Sequence, residues 1–153
     1  MTLFGIAAAA VLALDMITKH IVSSGMELGT SIAILPGVFE ITYIHNTGAA
    51  WGILAGKQLL LQILTAVLMA AVIVYAVIKR KSLSRLEMIS LALIVGGGLG
   101  NFLSRAVSGY VVDFFNIHII PVFNVADIGI TTGCVLLIIS VFLSGKKEND
   151  GRK

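Results

Sequence analysis

Four runs of about twenty residues, near 3–22, 58–78, 86–107 and 126–144, carry almost no charge. Each is long enough to take a helix across the roughly 30 Å hydrocarbon layer of a bilayer. Composition agrees: 58% of the 153 residues are hydrophobic, 12% are charged and the mean hydropathy is +1.01. Those are too few polar side chains to coat a water-soluble globule, so soluble enzyme folds are excluded first. A net charge of +3 and a pI near 9.2 do not indicate nucleic acid, because most basic residues sit in short clusters beside the apolar runs. The expected fold is an all-α polytopic membrane protein, a single membrane domain over 1–153 with four transmembrane helices and a small extracytoplasmic β-rich cradle.

Charge then orients the chain. Lys79, Arg80, Lys81 and Arg85 lie between the second and third runs, and Lys146, Lys147, Arg152 and Lys153 follow the fourth. Positive loops stay in the cytoplasm, so both segments and, by parity, the N-terminus are expected there. Residues 23–57 and 108–125 then face outward. The first run has no positive leading region and carries Asp15 and Lys19 within it, which argues for a permanent helix over a cleaved signal peptide.

The outer stretch from Ile32 to Ile44 is rich in β-formers with partial alternation, so the cradle is expected within about 28–57. The run NTGAAWG at 46–52 suits a loop dipping against the bundle, with Trp51 at the interface. Residues 145–153 form a cytoplasmic tail, expected to fray from Glu148 onward. Cys134 stands alone, so no internal disulfide and no zinc spacing can form, and within an apolar run it reads as inert core filling. His20, His45 and His118 share no metal-ligand spacing. Neither metal nor cofactor is expected.

Ionisable groups at membrane depth cost a few kcal/mol on insertion scales, so each needs a partner or a purpose. Asp15 and Lys19 are four residues apart on the first run, as Asn101 and Arg105 are on the third, and both pairs fall toward the outer end. Asp113 follows the third run, while Asn124 and Asp127 open the fourth. With Asn46, these residues can converge on one level. Asp15 and Lys19 form either a buried ion pair that fixes helix register or part of the chemistry. For Arg105 and Asn101 the simpler role is interhelical hydrogen bonding and positioning of other groups. Gly96, Gly97, Gly98 and Gly100 include a small-xxx-small pair suited to close helix packing.

Asp113 and Asp127 can meet if the outer connection folds back. Two carboxyl groups sharing a site cannot both ionise cheaply, which yields an acid and a base at one pH. That is the chemistry of an aspartyl protease: one member takes a proton from water, the other donates to the developing oxyanion. Taken alone, the pair also suits helix caps or ion ligands, and a small ion-coupled membrane transporter is the alternative reading. Against it, the polar groups cluster at the outer end and no internal repeat is present.

Asp15 with Lys19, NTGAAWG at 46–52, GNFLSR at 100–105, VVDF at 111–114 and FNVAD at 123–127 occur in this order. This ordered set resembles the type II signal peptidases, the bacterial lipoprotein signal peptidases, over nearly the whole chain. The resemblance implies that Asp113 and Asp127 are catalytic. It implies that Asn46, Gly48, Asn101, Arg105, Asn124 and Ala126 line or brace the site, with Asp15 and Lys19 in support. It further implies diacylglyceryl prolipoprotein substrates, cut on the amino side of the lipidated cysteine at the outer face of a bacterial plasma membrane. The enzyme is expected to work as a monomer among membrane lipids, without nucleic acid. Family members commonly carry an acidic residue before the arginine, where this chain has Ser104.

Overall fold

The structure, a computed structural model, describes residues 1–48 and 56–150. Trp51 and the expected dip of the NTGAAWG run beyond Gly48 lie outside the described residues, as does the end of the tail, 151–153. In chain order the elements are α1 (Thr2–Gly25), β1 (Ser31–Leu35), β2 (Phe39–Asn46), α2 (Gln58–Ile78), α3 (Arg85–Ser108), β3 (Val111–Asn116) and α4 (Val125–Asp150). All four helices are long and apolar enough to cross a membrane, α4 over Val125–Leu143.

Glycine makes α3 the central helix. Of its most apolar stretch 56% is buried, against 17% in α1 and α2 and 22% in α4. A Cβ on Gly96 would strike the Ala8 carbonyl of α1, one on Gly97 the Ala126 carbonyl of α4, and one on Gly98 the Met69 thioether of α2. The backbones of α1 and α4 therefore approach α3 directly and α2 fills the third gap with a side chain, through three consecutive glycines, the close packing that holds helices together in lipid. The helix starts at a capping box, in which Ser84 accepts from the Glu87 amide and Glu87 accepts from the Ser84 amide. It stops at Gly109, whose φ of +78° is a left-handed cap open to glycine at little cost.

Around that axis the two ends differ. Phe4, Ala8, Ala76, Met88, Leu91, Ala92 and Val95 form an apolar core toward the end bearing the 79–85 basic cluster. At the other end a three-stranded antiparallel sheet, ordered β1-β2-β3, rests on the bundle through Val22, Tyr43 and Phe114. β3 lies beyond the stretch expected to hold the cradle. Four of its six residues, VVDFFN, are β-branched or aromatic, and the strand pairs with β2 so that Asp113 sits opposite Ile44 and Val111 opposite Asn46.

Two expectations are corrected. Cys134 is exposed on the flank of α4 and is not core filling, since a residue apolar enough for lipid is equally suited to either side of a membrane helix. The fourth helix also continues past 144 to Asp150, because Lys and Glu are good helix formers once the chain has left the bilayer.

Candidate active site

The site begins where α4 does. The Asn124 side-chain oxygen accepts the Asp127 N–H at 3.0 Å, and Asp127 Oδ2 accepts the Asn124 N–H at 3.1 Å. This reciprocal cap satisfies orphan amides at the helix start and locks the Asp127 carboxyl in place. A helix N-terminus also favours negative charge at that position. The other carboxyl oxygen of Asp127 accepts from Asn101 Nδ2 at 2.8 Å.

Asp113 is presented by β3 with 1% of its surface exposed. Its Oδ1 accepts from Asn124 Nδ2 at 2.6 Å and its Oδ2 from Asn46 Nδ2 at 2.8 Å. Asn124 thus holds both carboxyl groups, one through its backbone and one through its side chain. Burial pushes Asp113 up to about 6; the Asn46 amide opposes this, and the nearby Asp127 charge reinforces it. Asp113 therefore holds a proton far more readily than a solvated aspartate.

Beneath the two acids lies an ordered set of polar groups that fixes which way each amide points. Lys19 Nζ donates to Asp15 Oδ2 at 2.7 Å, to Asn101 Oδ1 at 2.9 Å and to Ser104 Oγ at 3.2 Å. An ammonium group only donates, so Asn101 must turn its oxygen toward Lys19 and its NH₂ toward Asp127. Asp15 Oδ1 accepts the Ala126 N–H at 2.9 Å, an orphan amide of the first turn of α4. The α1 carboxylate can reach α4 because Gly100 leaves it room: a Cβ there would collide with the Asp15 carboxylate. Ser104, the residue just before Arg105, accepts from Lys19 and bonds back to the Gly100 carbonyl. Asp15 is accordingly the only carboxylate bonded to Lys19 among the described residues.

Arg105 acts from the other flank. Its Nη2 donates to the Gly48 carbonyl at 2.8 Å, and the Gly48 N–H donates to Asn46 Oδ1 at 2.8 Å, which aims the Asn46 NH₂ at Asp113. Every residue singled out from the sequence, from Asp15 to Asp127, lies in or directly beside this one network. Sequence reasoning missed the surroundings. A cavity of about 400 Å³ over the two acids is walled by Ile120, Pro121, Val122 and Phe123, with Ile130 and Thr131 lower on α4. The apolar run IIPVF at 119–123 was the available signal.

This arrangement can keep one proton on a carboxyl pair beside an enclosed, half-apolar space. Comparison with known proteins adds the following. Residues 7–143 match the model of the family described as signal peptidase (SPase) II. A lipoprotein signal peptidase of Brevibacillus brevis is 41% identical over 143 residues, covering 92% of this chain and 95% of that protein. Two solved bacterial membrane enzymes superpose closely. One has a TM-score of 0.88 at 34% identity, covering 100% of this chain and 93% of its own. The other has a TM-score of 0.83 at 35% identity, covering 92% and 93%.

Proposed function

Because the chain belongs to the signal peptidase II family, we propose that it removes signal peptides from diacylglyceryl-modified prolipoproteins as an aspartic endopeptidase, cutting on the amino side of the lipidated cysteine. The single observation that carries the mechanism is Asn124 bonded to both carboxyl groups, which holds Asp113 and Asp127 over one cavity.

Asp127, anchored at a helix N-terminus, is the base and Asp113 the acid. Water in the cavity gives a proton to Asp127 and adds to the scissile carbonyl carbon, while the Asp113 proton passes to the carbonyl oxygen. The tetrahedral diol returns that proton to Asp113 as it collapses. The C–N bond breaks, and the leaving nitrogen takes the proton held by Asp127. Asn46, Asn101 and Asn124 occupy acceptor positions on both acids, so neither carboxyl can rotate away between steps. Asp15 and Lys19 hold Asn101 and the start of α4. Arg105 and Gly48 hold Asn46.

The basic cluster at 79–85 supports both termini and the α2–α3 loop on the cytoplasmic side, with the sheet and the acids at the outer face. A lipid-anchored precursor remains in the bilayer, and an acid pair at its outer boundary meets both acyl chains and a hydrated peptide bond. One chain supplies the whole network, which supports a monomeric enzyme. The test is to give the purified protein, in lipid, a precursor with and without its diacylglyceryl group and to determine product masses. Cleavage of the lipidated form alone, before the modified cysteine, is expected. Equal cleavage of both forms, or a cut elsewhere, would overturn the proposal.

A further inference from the structure

One peptide unit beside the acids is held from both sides. The Gly48 N–H donates to Asn46 Oδ1 at 2.8 Å, and the Thr47 carbonyl of the same unit accepts from Gln58 Nε2 at 2.9 Å. A peptide unit is rigid and planar, so its N–H and C=O point in opposite directions and can only turn together. Gln58 is half-buried and is the first residue of α2, whereas Thr47 and Gly48 directly follow the end of β2. The unit therefore links the start of a membrane helix to the side chain that donates to Asp113 Oδ2 at 2.8 Å.

Arg105 does not supply this restraint. Its Nη2 holds the Gly48 carbonyl, which belongs to the next peptide unit along the chain. Without Gln58 the Thr47–Gly48 unit could rotate, and Gly48, lacking a Cβ, offers little resistance to such a rotation. A rotated unit turns its N–H away from Asn46 Oδ1. The Asn46 amide is then free to flip, which sets its oxygen against the Asp113 carboxyl. A donor on the Thr47 oxygen also polarises the unit and strengthens its N–H as a donor.

We infer that Gln58 is a positioning residue of the acid pair: it holds the Thr47–Gly48 peptide unit and through it aims the Asn46 NH₂ at Asp113. The effect on turnover rests on the proposed acid role of Asp113; the effect on the Asp113 carboxyl itself does not. Gln58 acts through a chain of three hydrogen bonds, from its own amide to Thr47, from Gly48 to Asn46 and from Asn46 to Asp113. The charges around Asp113 are those of Asp127 on α4, Arg105 on α3 and Lys19 on α1. An uncharged replacement for Gln58 leaves all three in place. What changes is the Asn46 bond, which opposes the upward push of burial on Asp113. Loosening that bond lets burial hold the Asp113 proton to higher pH.

The test combines Gln58→Met, similar in length but with no donor, with Asn46→Ala and the double variant. Methionine forms helix as readily as glutamine, so α2 should keep its start. In Gln58→Met, kcat for a lipidated precursor should fall by about threefold to fivefold, the equivalent of one hydrogen bond, with KM close to the parent's. The alkaline limb of the kcat profile should move to higher pH, because Asp113 keeps its proton longer. Asn46→Ala should show both changes more strongly, and adding Gln58→Met to it should change nothing further. The infrared neutral-carboxyl band of Asp113, followed through a pH titration, reads the same shift without turnover. A band and a limb that stay at the parent's position in Gln58→Met, or equal losses from Gln58→Met with and without Asn46, would overturn the inference. A band that moves in a protein that cuts no lipidated precursor would uphold the positioning role and remove the proposed activity instead.

Discussion

The two ends of the bundle are held together by different physics. Near the basic cluster, Phe4, Ala8, Leu91, Ala92 and Val95 meet through apolar contact alone, whose energy changes smoothly with small shifts. At the opposite end Asp15, Lys19, Asn101, Asn124 and the two acids meet through short directional bonds, nearly every one of which fixes the orientation of the next. The first end sets how close the helices lie. The second, in the proposed mechanism, sets where the reacting atoms would sit, and it tolerates little displacement because buried polar groups left without partners are costly. Stability and catalysis are therefore expected to separate along the length of the same helices.

The largest separation is expected at the acids. Asp127→Asn preserves an acceptor for the Asn124 amide but sets its NH₂ against that of Asn101, so the melting temperature should fall modestly while turnover falls about a thousandfold or more. A single-turnover assay beside a melting curve checks both. A smaller effect, on stability and activity together, is expected from Asp15→Asn. It removes the one carboxylate bonded to a buried ammonium, and breaking such a pair costs about 3–5 kcal/mol. Parent-like melting in that variant would mean that the polar end is not held as described.

pH probes the same end without mutation. Burial pushes the Asp113 carboxyl from its ordinary 3.8 up to about 6 in the folded protein, so between those values the folded state binds more protons than the unfolded one. Stability must then fall as pH rises through this window, by on the order of 3 kcal/mol in total, with no further loss from this group above it. Asp113→Ala should flatten the decline, as melting temperatures at a series of pH values would record. The smallest change belongs to the apolar end. Val95→Ala should cost about 2 kcal/mol of stability and leave kcat/KM of the folded fraction alone; a change in its pH profile would contradict the division between the ends.

Much of this was legible in the sequence for a simple reason. Polar residues inside apolar runs are rare, so Asp15, Lys19, Asn101, Arg105 and Asp127 stood out without any knowledge of packing. The converse holds for Cys134, because hydropathy does not separate a lipid-facing position from a core one when both are apolar. β3 was hidden because its partner β2 is separated from it by two membrane helices, and pairing across that distance leaves no local mark. The cap joining Asn124 to Asp127 did leave one, an Asn three residues before an acid at a helix start, but their other roles masked it. The bond from Asp15 to the Ala126 amide could not be read at all, since it involves a backbone atom and depends on the missing side chain of Gly100.

The proposed mechanism needs an unequal acid pair, with the proton resting on Asp113. Infrared difference spectra of the parent and Asp113→Asn, taken through a pH titration, test it most directly. The parent should show a neutral-carboxyl band that persists to about pH 6 and is missing from the variant. A band already gone by about pH 4, the range of an ordinary aspartate, or one that survives unchanged in the Asp113 variant, would contradict it.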